Sequence, residues 1–181
     1  QALANKEVDS YVVASRLALY MWDSIPDYHL HKQIEKGHFE NKGQIEGQAK
    51  RMLRDPRSKA KFNDFLLQWL DIKGKELPSF NAQAFPDFSP ALAMDLKSSL
   101  LRSIERTVWK ENGHWQDFLR LSTIEVTEPV AKYYQIPMTN KPNPSGYATV
   151  NASDFGRYGI HTHPYVLASH SYPEDSSPIH R

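Results

Sequence analysis

Residues 56–72, PRSKAKFNDFLLQWLDI, carry the clearest structural signal in the chain. Phe62, Phe65, Leu66, Trp69 and Leu70 fall at i, i+3, i+4, i+7 and i+8, the spacing of one apolar face of a helix. Pro56 suits the first helical turn, where a backbone N–H has no partner to lose. Asp55, just before it, is pushed out of the helical region by the proline ring. Asp55-Pro56 therefore predicts one helix ending and another starting, with Asp55-Pro56-Arg57-Ser58 as cap and first turn.

The same period extends to both sides. GQIEGQAKRMLRD (43–55) places Ile45, Ala49, Met52 and Leu53 on one helical face. In DSIPDYHLHKQIEKG (23–37), Ser24 and Asp27 have capping-box spacing, Pro26 fits a first turn and Gly37 a stop. VDSYVVASRLALYMW (8–22) is helix-length and nearly apolar all round, with Val8, Tyr11, Val12, Leu19 and Trp22. Arg16, its one interior charge, stands seven residues before Asp23 and is expected to form a buried ion pair with it.

Downstream, residues 73–88 read as a connector with Pro78, Pro86, Phe80, Phe85 and Phe88. Ser89-Pro90 starts a helix that carries Leu92, Leu96, Leu100, Ile104 and Val108 at steps of four, runs to about Asn112 and stops at Gly113. HWQDFLRL (114–121) and EPVAKYYQI (128–136) predict two short helices. Residues 137–156 are rich in Pro, Asn, Ser and Gly and read as loop. YGIHTHPYVLAS (158–169) is short and predicts a strand or a turn. The expected fold is all-α: an irregular multi-helix bundle of six or seven helices over 8–136, followed by a Pro/Ser/Tyr-rich C-terminal arm.

Composition bounds the chemistry. The chain has 181 residues, enough for one domain plus an arm, and a formal net charge of +1, which gives no reason to expect nucleic acid as a partner. With no cysteine, this chain offers no disulfide, no thiolate zinc site, no iron–sulfur ligand and no thiol for covalent haem. No apolar run is long enough to span a bilayer, so no membrane span is expected. Phosphate-cradling glycine loops, a nucleophile elbow and a H-E-x-x-H pattern are absent. A chain that opens on Gln1 and closes on Arg181 is expected to be an internal piece of a longer protein.

Four of the eight histidines fall near the C-terminus: His161, His163, His170 and His180. On an extended segment the His161 and His163 rings point the same way, and together they are a candidate metal pair. His170, Glu174 and Asp175 lie near in sequence, but the spacing is that of no zinc motif. The competing reading is loop histidines bonded to backbone. His29 and His31 are expected on a solvated helix surface. His38 and His114 lie just past helix stops, where an imidazole can meet terminal carbonyls. Six tyrosines of the second half (Tyr133, Tyr134, Tyr147, Tyr158, Tyr165 and Tyr172) are expected to pin the arm onto the helical core, with stacking on a sugar or a partner as the alternative.

Several of these stretches together resemble the large planctomycete-type, cytochrome-associated proteins. Residues 16–27 match an R-L-S-Y-F-L-W-x-S-x-P-D-like opening, 51–57 an R-M-L-x-D-P-R run and 65–70 an F-x-x-Q-W-L run. By that resemblance, 1–136 is a helical domain of the fourth planctomycete-specific type and 137–153 a loop linker. Residues 154–181 resemble the start of the third planctomycete cytochrome c domain, through R-x-G-L-L-T-H-x-x-x-L and S-P-I-x-R-G, and the chain stops before that domain's haem cysteines would come. The catalytic residues stay unknown.

The resemblance implies an exported protein, periplasmic or extracellular, that takes part in electron transfer or oxidation beside polysaccharide breakdown. It would be a helical scaffold, or part of an oxidoreductase of undefined substrate. Haem c would be supplied by a haem-bearing domain or chain, including other parts of the same polypeptide. His163 falls on the family's Thr-His position and is the candidate for a haem-proximal or axial role; His161 lies outside it. Two rival readings stand beside this one. The first is a non-catalytic module that binds a partner chain or a glycan. The second is a metal-dependent hydrolase built on His161 and His163.

Overall fold

The computed structural model describes residues 9–75, 77, 81–110, 113–173 and 175. Val8, Pro78, Phe80, Asn112, Glu174, His180 and Arg181, named above, lie outside the described residues. Among those described, eight α-helices and one two-stranded sheet form two compact units, 1–66 and 67–181.

In the first unit, α1 (Ser10–Trp22), α2 (Tyr28–Glu35) and α3 (Lys42–Leu53) precede α4 (Pro56–Trp69), whose last turn belongs to the second unit. Asp9 caps α1 by accepting from the Tyr11 N–H. Asp27, rather than Ser24, caps α2 by accepting from the Leu30 N–H, so this helix starts after Pro26, not at it. Asn41 and Gln44 form a reciprocal capping box at α3. Ala14, Ala18, Trp22, Leu30, Phe39 and Met52 make the core, with Leu17, Ile34 and Ile45 packed on it. The two alanines let α1 lie close to its neighbours.

Arg16 and Asp23 do not pair. Asp23 ends α1 in the left-handed region (φ 52°), and its carboxylate meets Lys61 Nζ at 2.6 Å. Lys61 also donates to the Leu19 carbonyl at 2.7 Å, closing an exposed helix end, while Arg16 stays exposed. A left-handed turn between the two residues breaks the helical spacing on which the expected pair relied.

The second unit is arranged about α5 (Pro90–Val108), capped by Ser89 with Pro90 at its first position. Leu92, Leu96, Leu100 and Ile104 are buried, each contributing about 1.5–3 kcal/mol. Around α5 stand α6 (Trp115–Arg120), β1 (Thr123–Thr127), α7 (Glu128–Tyr133), β2 (Tyr147–Asn151) and α8 (Pro164–Ser169). The strands β1 and β2 pair antiparallel, with Glu125 opposite Thr149. Short 3₁₀ turns at Ala152–Phe155 and Ile160–Thr162 lead to α8.

The chain is thus largely helical, with seven helices up to Tyr133. Three local readings change. A strand, β1, lies between the two short helices α6 and α7. The stretch 137–153, expected as loop linker, carries β2. Residues 160–169 form a 3₁₀ turn and a helix rather than a strand. On α4, Leu66 and Leu70 are buried as the period predicts, but Phe65 and Trp69 are 50% and 45% exposed.

Candidate functional site

The buried polar centre of the second unit begins with two serines one turn apart on α5. Ser103 Oγ accepts from the Glu125 N–H at 2.8 Å and donates to the Ser99 carbonyl. Ser99 Oγ donates to the Glu125 carbonyl. The middle residue of β1 is therefore held by its backbone on the side away from β2. Its carboxylate accepts from Thr149 Oγ1 at 2.5 Å and from Arg106 at 3.1 Å. Sequence reading missed this centre; the available signal was a pair of serines spaced four apart on an otherwise apolar helix face.

His163 completes it. The residue is 1% exposed and caps α8, with Nδ1 accepting from the Tyr165 N–H at 3.2 Å. Its Nε2 lies 3.3 Å from Ser99 Oγ. The Ser99 proton is directed to Glu125, so Nε2 must carry the hydrogen in this pair and His163 is neutral. Burial, then the Arg157 charge, pushes His163 down to about 3. A serine–histidine contact of this kind is not a nucleophile with its base. The Nε2 that would take the serine proton already holds one, and Nδ1 faces a backbone donor instead of a carboxylate.

The other arm histidines go elsewhere. The His161 ring is exposed and lies 5.8 Å from the Trp69 ring at 52°, and Trp69 also meets Phe118 at 6.1 Å. His170 Nε2 donates to the Leu70 carbonyl at 3.0 Å. Trp69, His161 and His170, with Asp71, Val166 and Leu167, line a cleft of about 300 Å³. The structure thus brings His161 together with His170 and sends His163 into the core. A 3₁₀ turn at Ile160–Thr162 separates rings that an extended segment would have aligned. Among the described residues, no group of three His, Cys, Asp or Glu could hold a metal ion.

Of the tyrosines, Tyr165 is buried, Tyr147 lies under the Arg102 guanidinium at 4.2 Å, and Tyr133 packs edge-on against Phe88 and Tyr134. Tyr158 and Tyr172 are exposed. His29 and His31 lie on the exposed surface of α2, and His38 Nδ1 faces Gln33. His114 sits at the start of α6 rather than at a helix end, its N–H directed at Asp117.

In the first unit, the two motif runs at 16–27 and 51–57 meet in one polar knot. Arg51 grips Asp27 with both guanidinium nitrogens, at 2.9 and 3.2 Å. Arg57 lies 3.5 Å from the Trp22 ring centroid, a cation–π contact, and pairs with Asp55 at 2.8 Å. Trp22 Nε1 donates to the Met52 carbonyl, which also accepts from Ser58 Oγ. For Asp27, burial works upward, but the hydrogen bonds from Arg51 and the Leu30 N–H and the two arginine charges outweigh it and hold the carboxyl below its usual range. Arg57 hydrogen bonds hold Asp55 down to about 2.

Haem fits poorly with the residues present. No cysteine is available to attach it. His163, the one family-position ligand, has its Nδ1 lone pair and its Nε2 proton engaged inside the core. No curated protein and no solved structure matches the chain. A family model does: PSD4, described as a protein of unknown function (DUF1592), matches residues 8–136, the span that contains the Trp22–Asp27–Arg51–Arg57 knot and the α5 core. On that match, the chain belongs to the PSD4 family, a planctomycete cytochrome c-associated domain.

Proposed function

We propose that this domain is a non-catalytic helical scaffold within an exported, periplasmic or extracellular, haem protein, and that a haem-bearing domain or chain is its partner in electron transfer or oxidation. One observation carries the reading. Trp22, Asp27, Arg51, Asp55 and Arg57, the most chemically capable residues of the matched motifs, are all engaged in joining α1, α2, α3 and α4. His163 is likewise engaged in joining α8 to α5. Residues held this way position helices instead of meeting a substrate.

The test uses the natively purified full-length protein. A Soret band is expected, and Arg51→Ala is expected to lower thermal stability while leaving the Soret maximum where it is. Absence of haem, or a Soret maximum displaced by Arg51→Ala, overturns the scaffold reading. Cell fractionation checks export: the protein is expected outside the cytoplasmic fraction.

A second reading draws on the cleft beside Trp69, whose half-exposed indole and two neighbouring histidines suit a non-catalytic module for a glycan or a partner chain. Glycan-array binding that Trp69→Ala abolishes supports it; no binding by the folded full-length protein counts against it.

A further inference from the structure

Three basic side chains from different segments converge on one cavity of about 260 Å³ in the second unit. Arg106 comes from the last turn of α5, Lys110 from just beyond it and Arg120 from the end of α6. Asp117 and Ser122 share the lining. Lys110 Nζ is 2.8 Å from Asp117 Oδ2, and Arg106 Nη1 is 3.1 Å from Glu125 Oε1. Two carboxylates therefore face three cations, and Arg120 has no ion-pair partner among the described residues.

The carboxylates do not close the cavity to an anion. Asp117 is held below its usual range by the Lys110 hydrogen bond first and by the His114 N–H second, so its charge is already matched. Glu125 is buried beneath Arg106, whose side chain stays 58% exposed and keeps N–H groups turned outward. Ser122 adds an exposed hydroxyl. Helix dipoles favour a cation at each helix end, which accounts for Arg106 and Arg120 singly but not for their meeting around one hollow.

We propose that this cavity binds a tetrahedral oxyanion, sulfate or phosphate, with Arg120 as its principal ligand and Arg106 and Ser122 as further donors. Guanidinium forks match two oxygens of such an ion at once. The volume is below that of most organic-ligand pockets, which run from about 300 Å³ upward, yet ample for one such group and a few waters.

Calorimetric titration of the full-length protein at low ionic strength tests this, with inorganic sulfate, inorganic phosphate and phenyl phosphate as ligands and chloride at matched ionic strength as control. Saturable binding of sulfate or phosphate is expected. Arg120→Ala should weaken it at least roughly tenfold, the worth of a charged hydrogen-bonding partner. Arg120→Lys, which keeps charge but not the fork, should fall between, and the distant Arg54→Ala should match wild type. Arg120 is exposed, so its variants should keep the wild-type circular dichroism. Tighter binding of phenyl phosphate than of the inorganic ion would identify the ligand as the end group of a larger molecule, and the reverse order as the free ion. No saturable binding, equal binding of chloride, or unchanged affinity in Arg120→Ala would each overturn the proposal.

Discussion

His163 Nε2 and Ser99 Oγ, 64 positions apart in sequence, lie 3.3 Å apart in a site closed to water. The contact joins the first residue of the arm helix to the middle of the longest helix. Because Ser99 also holds Glu125, one hydroxyl links α5, α8 and β1.

That neutral, buried imidazole makes stability depend on pH. Its folded-state value is about 3, against an ordinary 6.5. Between those values the unfolded chain takes a proton that the folded chain refuses, so stability falls as pH drops below about 6.5. The slope reaches at most about 1.4 kcal/mol per pH unit, and the effect is absent above the ordinary value. Urea unfolding at about pH 7 and about pH 5 should show it, and His163→Phe should flatten it. An identical slope in the variant would contradict the burial of an uncharged ring.

Ser99→Ala removes the acceptor for the Nε2 hydrogen and the donor to Glu125. A loss of about 1–3 kcal/mol is expected. Pairing it with His163→Phe in a double-mutant cycle should give a coupling of at least about 0.5 kcal/mol, because the two side chains share one bond. Strict additivity would show that the contact adds nothing to stability.

Asp27 has two roles that substitution can separate. Asp27→Asn keeps a cap for α2 but loses the charge that Arg51 grips, and should lower stability by about 0–1 kcal/mol, as for a half-buried pair. Asp27→Ala loses the cap as well and should cost about 1 kcal/mol more. Chemical denaturation distinguishes them; equal losses would mean that the cap is unimportant.

Gly159 sits at φ 76° and ψ 167°, and a methyl group there would come 2.5 Å from the Leu119 carbonyl. Gly159→Ala should be severely destabilising, with backbone strain of about 1–3 kcal/mol before the clash is added. Gly74 has a similar φ of 72° but open space around it, so Gly74→Ala should show the strain alone. Thermal melts of the two variants compare them directly. A Gly74→Ala loss as large as that of Gly159→Ala would remove the role of the carbonyl contact.

Long-period signals in the sequence were reliable. The leucines of α5 stand four apart and are buried as read, and Ser89-Pro90 and Asp55-Pro56 start helices where expected. What periodicity cannot show is which end of an apolar stripe the rest of the chain covers, so Phe65 and Trp69 were misjudged as core. Strand pairing is non-local: Thr123–Thr127 has five residues, a glutamate at its centre, and a partner beyond a Pro- and Asn-rich stretch. The alternation in Tyr147–Asn151 was present but masked by that composition. For the site, histidine count pointed to the right segment and the wrong pairing. His163-Pro164 is a helix start, and Pro164 was the unread sign that His161 and His163 would diverge.

The serine latch on Glu125 has a consequence for what the sheet can become. A strand with a bare edge is a template on which another chain can add itself, the first step toward fibrils and swapped dimers. On β1, Ser99 and Ser103 occupy the donor and acceptor that an incoming strand would need at the central residue. The hairpin is thereby limited to two strands on that side, and a helix, through two hydroxyls, does the work that proline or lysine does on most exposed edges.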